Sequence, residues 1–432
     1  MSQPTTLGAL RDTGYTSRSV KAEIRDNLLA RLRAGETAFP GIVGFEDTVL
    51  PQLESALLAG HDFVLLGERG QGKTRLMRTL VALLDEWAPY VEGCEINDDP
   101  LAPVCSRCRR LAAELGDDLP VDWKHRDERY VEKLATPDTS VGDLVGDVDP
   151  VKVAERIQVA MFNVLEERDI QVRGYSLRLP VDVLLVASAN PEDYTNRGRI
   201  ITPLKDRFGA EIRTHYPEEV AQEVALMTQE AALVADVPVH LLEVVARLTR
   251  GLRESPSVDQ RSGVSARFAI AAAEGIAASA LRRSARTGEG VAVARVCDLP
   301  GVLPTLLGKV EFEMGEEGRE AEVVSHLLRV AVAETFRDRL HGLDLSGFTE
   351  LFAEGETVET GELVTAEELL GQVGTVPGLA KVLDRLGHGD VSHDEPPGPG
   401  QVAAAIELVL EGLHLTRRID KASVSGRAVY GA

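Results

Sequence analysis

The sequence predicts an α/β protein, a parallel sheet flanked by helices and followed by a mostly helical second half. Three observations carry that prediction. Phe63-Val64-Leu65-Leu66 runs straight into Gly67-Glu68-Arg69-Gly70-Gln71-Gly72-Lys73-Thr74, which opens a helical pattern. Val183–Ala187 is a second short apolar run of the kind a strand covered on both faces needs. From Pro217 to about Arg286 the composition turns helical and stays so.

In chain order, residues 1–16 have a mixed polar composition and read as loose. Ser17 to Arg33 reads as an amphipathic helix, with Val20, Ile24, Leu28, Leu29 and Leu32 on one face. Pro40 to Gly44 precedes a helix from about Asp47 to Ala59. Residues 75–84 carry apolar side chains at helical spacing after the glycine loop. Residues 92–118, rich in Pro, Asp and Cys, read as a polar surface insert, and Tyr130–Leu134 as the next strand. Residues 155–168 read as a helix, and 170–179 as a hairpin turning at Gly174. The strand 183–187 ends at Ser188-Ala189-Asn190-Pro191, and a further strand is expected near 211–213. The acidic run 311–322 reads as a solvated face, 396–400 as a Pro/Gly linker, and 401–432 as an amphipathic helix with a tail.

The glycine loop carries the chemistry. It spells G-x-x-x-x-G-K-T between a buried strand and a helix, the context that a nucleotide phosphate loop requires. Its glycines let backbone N–H groups turn inward around a polyphosphate. Lys73 can reach the β- and γ-phosphates, Thr74 can offer its hydroxyl to Mg²⁺, and the helix start adds the positive end of its dipole. Glu68, Arg69, Gln71 and Arg75 complete the stretch that would touch nucleotide, and ATP with Mg²⁺ are the cofactors it implies. Ile42-Val43-Gly44, ahead of the loop, is the kind of apolar-Val-Gly element that contacts adenine.

The 432 residues suffice for roughly three domains. A content of 44% apolar and 27% charged residues is that of a globular protein. A net charge of −22, from 69 acids against 47 bases, argues against a protein that coats nucleic acid or an anionic membrane. No run approaches the ~18 apolar residues of a membrane span. Met1 to Leu10 carries no basic and hydrophobic signal pattern, so the cytoplasm is the expected location. Four cysteines make no disulfide framework. Cys94, Cys105 and Cys108 cluster in sequence, the last two as C-x-x-C, and leave two alternatives. One is a zinc site with His125 as a fourth ligand, the other reduced free thiols. Cys297 stands alone and reads as packing.

With Asn190-Pro191 after its strand, and Asp206-Arg207-Phe208 further on, the chain resembles the magnesium-chelatase ATPase subunit and the related MoxR-type AAA+ ATPases over roughly residues 17–290. The stretch 308–320 resembles the C-terminal part of chelatase-like relatives. The resemblance implies an AAA+ core over 17–216, a helical lid over 217–300 and a C-terminal extension over 301–395. It implies that Asn190 is the sensor orienting the attacking water and Arg207 the finger reaching a neighbouring subunit's nucleotide. Arg267, in Ser265-Ala266-Arg267-Phe268, would be the second sensor on the lid, with Arg253 and Arg261 near it in sequence. It also implies a homo-oligomeric ring, of six subunits, and a partner carrying a von Willebrand A-type domain.

One part of the pattern is missing. Such ATPases place an apolar strand ending in an acid shortly before the helix at Glu155, whereas Val141 to Ala154 contains Pro150 and two glycines and no run of four apolar residues. About three dozen residues of the family pattern are absent between Val153 and Glu155. Val81–Glu86 spells the signature but begins eight residues after Lys73, on the helix that follows the loop, so Asp85 and Glu86 read as exposed helix-end residues. The chain is thus an internally shortened ATPase, a degenerate relative that binds nucleotide and hydrolyses it poorly, or one in which Asp143, Asp147 or Asp149 supplies the acid. The functions in contention are an AAA+ motor that remodels a partner, with metal insertion as in chelatases, and a nucleotide-gated scaffold without turnover. A transcription-activator ATPase ranks below both.

Overall fold

The computed structural model describes residues 3–133, 169–172, 175–178, 182–190, 208–259, 262–353, 355–388, 396–424 and 427–431. The chain forms two compact units. The first comprises Met1–Gly67 and Gly72–Thr214, the second Glu68–Gln71 and His215–Ala432. The expected helix 155–168 and the break at 153–155 lie outside the described residues.

The first unit is built on a parallel sheet. Strand β1 (Phe63–Leu66) lies between β6 (Val186–Ala189) and β7 (Ala210–Arg213), parallel to both, with Leu66 opposite Ala189 on one side and Arg213 on the other. All four β1 residues are buried, because both faces are covered. Phe63 and Leu65 pack with Leu53, Leu57 and Leu76, while Val64 and Leu66 pack with Phe208. Helix α2 (Val20–Ala34) starts at Ser19, whose hydroxyl accepts from the Ala22 N–H, and stops at Gly35 in the left-handed region. Helix α3 (Val49–Ala59) packs on α2 and β7. Helix α4 (Lys73–Thr79) is shorter than the pattern 75–84 and tightens into a 3₁₀ turn at Leu80–Leu83. Asp85 then lies at a half-buried rim and not on an exposed helix end. It pairs with Arg18, accepts from Asn27, and its N–H donates to Glu23.

The stretches expected to be loose or inserted form a small module with its own core. Helix α1 (Leu7–Asp12) buries Leu7 and Leu10 against Val91, Cys94, Cys108, Leu119 and Val121, so the stretch 7–12, expected to be loose, packs into a core. Strand β2 (Trp87–Val91) pairs antiparallel with β3 (Val121–His125), and helix α5 (Ser106–Leu115) lies between them in sequence. The expected strand 130–134 is not formed over 130–133. Residues 126–129 make a 3₁₀ turn just before it, and 130–133 pair with no strand among the described residues. The hairpin expected over 170–179 is present as β4 (Asp169–Val172) and β5 (Tyr175–Arg178). The expected strand 183–187 is displaced to 186–189, where it registers with β1.

The second unit contains α6 (Val220–Glu230), α7 (Val239–Glu254), α8 (Ala266–Thr287), α9 (Glu320–Arg339), α10 (Ala366–Val373), α11 (Leu379–Arg385) and α12 (Pro399–Leu415). The acidic run 311–322 is mostly exposed. Two expectations for the C-terminus change. The linker 396–400 is cut short, because Gly398 caps α12 and Pro399 opens it. Helix α12 is not amphipathic but buried on all sides from Ala403 to Leu413. A Cβ on Gly412 would come within 2.1 Å of the Phe336 ring, so the glycine permits α12 to cross α9 closely. Its two glutamates have partners from elsewhere in the unit. Glu407 lies 3.6 Å from Arg295 and accepts the Cys297 N–H at 2.9 Å, and Glu411 accepts from Lys421 and from the Tyr430 hydroxyl. Cys297, read as packing, has its thiol pushed well above its ordinary range by burial and by Glu407. The C-terminal tail is a sheet, with β10 (Arg427–Gly431) between β8 (Val358–Gly361) and β9 (Asp420–Val424).

His240, on α7, is 1% exposed, and burial together with His388 and Arg339 lowers its pKa from 6.5 to about 3. A histidine depressed in this way is neutral when folded and takes up a proton when unfolded. Its contribution is complete above about pH 6.5 and is lost as pH falls towards 3, at about 1.4 kcal/mol per unit. Urea midpoints at about pH 7.5 and about pH 5.5 should therefore diverge more for the parent chain than for His240→Leu. Equal acid losses in the two chains would show that His240 is not the group responsible.

Candidate functional site

The glycine loop leaves the carboxyl end of β1, with β6 on one side and β7 on the other. The chain supplies neighbours to opposite sides of this strand, so the loop opens at a switch point, where open parallel sheets bind ligands. The Gly67 N–H donates to the Ala189 carbonyl at 3.2 Å, extending the ladder by one residue beyond β1. That bond brings Asn190, 9% exposed, to the same edge of the sheet as the first glycine of the loop. On the other side the Thr214 N–H donates to the Leu66 carbonyl at 2.7 Å.

Gly70 and Gly72 both have φ near +74°, in the left-handed region that only glycine enters without strain. Gln71 is buried, and its side-chain oxygen accepts the Glu68 N–H at 3.0 Å, closing the turn. The Lys73 ammonium donates to the Gly67 carbonyl at 2.5 Å, so it curls back over the start of the loop. Thr74 and Arg75 are exposed in the first turn of α4, and Arg69 is exposed in the loop. Ile42 packs on the core that holds Phe63 and Leu76. Val43 is half-buried, and Gly44 is buried with φ +81°.

Within the second unit the loop tip is held by Tyr216 and Glu223, which were not singled out in the sequence, together with Arg253. The Tyr216 hydroxyl donates to the Arg69 carbonyl at 2.8 Å, and the Arg253 guanidinium lies 4.1 Å from the centre of the Tyr216 ring. Arg253 also donates to both carboxylate oxygens of Glu223, at 2.7 and 3.1 Å, and to the Val264 carbonyl at 2.8 Å. A Cβ on Gly70 would come within 2.2 Å of the Ser265 Cβ, at the start of α8. Arg267, in the first turn of α8, is exposed, whereas Arg253 is committed to Glu223. Arg207 and Arg261 lie outside the described residues, as do Asp143, Asp147 and Asp149. Nothing in the spacing of Tyr216, Glu223 and Arg253 announces that they meet.

The three clustered cysteines do converge, on a different fourth partner from the one expected. Cys94, Cys105 and Cys108 meet Asp98, with one ligand-type atom from each lying within 4.8 Å of all the others. His125 is not among them. Its Nδ1 faces Asp127 at 3.2 Å and its ring packs edge-on to Trp87, because β3 carries it to the opposite end of the β2–β3 ribbon from Val91.

No protein-family model matches the chain, and no curated protein matches it. Among solved structures, a “putative ATPase” from Cytophaga hutchinsonii aligns with 13% identity and a TM-score of 0.27, covering 72% of this chain and 95% of that one. The functional reading therefore rests on the residues of the loop and its surroundings. Among the described residues no helix is long and apolar enough to cross a membrane.

Proposed function

We propose that this chain is an ATP-binding subunit of an AAA+ motor of the chelatase-like kind, which couples nucleotide turnover to remodelling of a partner protein. The observation that carries the reading is the placement of G-x-x-x-x-G-K-T at the carboxyl end of the middle strand of a parallel sheet, with Asn190 beside its first glycine. In this reading the loop N–H groups receive the β- and γ-phosphates. Lys73 leaves the Gly67 carbonyl to neutralise them. Thr74, exposed at the start of α4, fits the hydroxyl that would hold Mg²⁺, an ion that screens phosphate charge when bound. Ile42, Val43 and Gly44 flank the base. Asn190 orients the attacking water, and Arg207 from a neighbouring subunit stabilises charge on the transferred phosphoryl group. Arg267 is the second sensor, a role supported by its exposure and by the engagement of Arg253 elsewhere. A finger supplied from a neighbour calls for a ring, taken here as six subunits, and the family resemblance supplies a von Willebrand A-type domain as partner.

A second reading, a nucleotide-gated scaffold, is favoured by one observation. The apolar strand ending in an acid is missing from the sequence before Glu155. Steady-state phosphate release separates the two. With no recognised acid to activate water, release should be slow in the chain as it stands. A light-scattering mass with saturating ATP analogue should nevertheless report a ring. Release at ordinary motor rates that is lost in Arg207→Ala would place an unrecognised acid in the site, with Asp143, Asp147 and Asp149 the first to substitute. A mass that stays monomeric would remove the ring.

A further inference from the structure

We propose that Cys94, Asp98, Cys105 and Cys108 form a zinc site that staples the N-terminal module together. The donor set is three sulfurs and one carboxylate oxygen, all within 4.8 Å of one another. A tetrahedral zinc with Zn–S bonds of about 2.3 Å sets sulfur pairs about 3.8 Å apart, which these side chains reach by moving about an ångström. Three of the four residues are buried. Cys94 is 7%, Asp98 4% and Cys108 0% exposed.

The backbone is arranged around the sulfurs as around metal-bound thiolates. The Asp98 N–H donates to Cys94 Sγ at 3.3 Å and the Cys108 N–H to Cys105 Sγ at 3.2 Å. The Cys105 N–H donates to Asp98 Oδ2 at 2.8 Å, which aims the carboxylate at the cluster. Asn97, just before Asp98, has φ +52°, an uncommon conformation for a residue with a side chain, and it turns the chain from Cys94 back to Asp98. Arg107 Nη1 lies 4.0 Å from Cys108 Sγ, offsetting part of the negative charge that three thiolates and a carboxylate leave around a divalent ion.

Two features separate this cluster from thiols that merely pack. Asp98 is buried and forms no ion pair among the described residues; the Cys105 N–H meets one of its oxygens, and a metal would supply the cation that a buried carboxylate ordinarily pairs with. The module's fully buried core is also small, with Tyr15, Leu101, Leu111, Ala112 and Trp123 packed around its edge and the β2–β3 ladder beside it. Its core contains Leu7, Leu10, Val91, Leu119 and Val121 besides the two buried cysteines. Structures with cores this small ordinarily depend on metals or disulfides. Zinc would tie the turn after β2 to the start of α5, two segments joined by no ladder. The site shares no residue with the proposed nucleotide site.

The test uses the full chain, expressed with zinc in the medium and purified without chelator. Elemental analysis should find about one zinc per chain. Exchange into cobalt should give thiolate-to-metal charge-transfer absorption with the ligand-field bands of a tetrahedral site. The double variant Cys105→Ser/Cys108→Ser should bind less metal by on the order of tenfold or more, with circular dichroism reporting that the rest of the chain is folded. Asp98→Ala, which removes an oxygen ligand and no sulfur, should shift the ligand-field bands and weaken cobalt retention. A parent chain that takes up neither zinc nor cobalt overturns the proposal. So does iron in place of zinc, a disulfide among these cysteines in the freshly purified chain, or full metal content in the double variant.

Discussion

Lys73→Ala should abolish ATP·Mg²⁺ binding at concentrations that saturate the parent chain. The ammonium is the one charge in the loop sequence that the spacing aims at the β- and γ-phosphates, and it sits on the Gly67 carbonyl, at the mouth of the loop. At an effective dielectric near 20, a charge about 4 Å from a phosphate oxygen is worth about 4 kcal/mol. Some of that is spent releasing the Gly67 carbonyl. A net loss of about 3–4 kcal/mol weakens Kd by two to three orders of magnitude. Titration with a fluorescent ATP analogue reads this directly. Equal binding by the two chains would show that the loop is a glycine-rich turn and not a nucleotide site.

The second large effect is on stability. Glu223→Ala should destabilise the second unit by about 3–5 kcal/mol, because it leaves the largely buried Arg253 guanidinium without its carboxylate. Glu223 is fully buried and meets Arg253 through both oxygens, so little water is at hand to replace it. The loss should extend to the loop tip, since Arg253 stacks on Tyr216 and Tyr216 holds the Arg69 carbonyl. Urea unfolding of Glu223→Ala, followed by the paired Glu223→Met/Arg253→Leu, tests the cause. The pair should recover much of the loss, because no buried charge is then stranded. If the paired variant is as unstable as the single one, packing and not charge accounts for the effect.

The features legible in the sequence are those whose determinants lie next to one another in the chain. The buried strand Phe63–Leu66, the glycine loop and the helix it opens follow from apolar run, glycine placement and helical spacing within about twenty residues. The same holds for α2, read from apolar residues at helical spacing, and for the hairpin at 169–178. The sequence also identified the three cysteines as a group and Asn190 as the end of a strand. Local spacing does not specify partners brought in from elsewhere. Residues 130–133 have strand-forming composition and pair with no strand among the described residues, while β2 and β3 find each other across the insert. Leu7 and Leu10 looked like part of a loose terminus until a small core closed over them. Glu407 and Glu411 gave α12 a polar face on paper, and tertiary partners turned that face inward. In the cysteine cluster, the sequence determined the sulfurs, whereas folding chose Asp98 over His125, because ligand geometry is set by where backbones cross and not by how far apart residues stand in the chain.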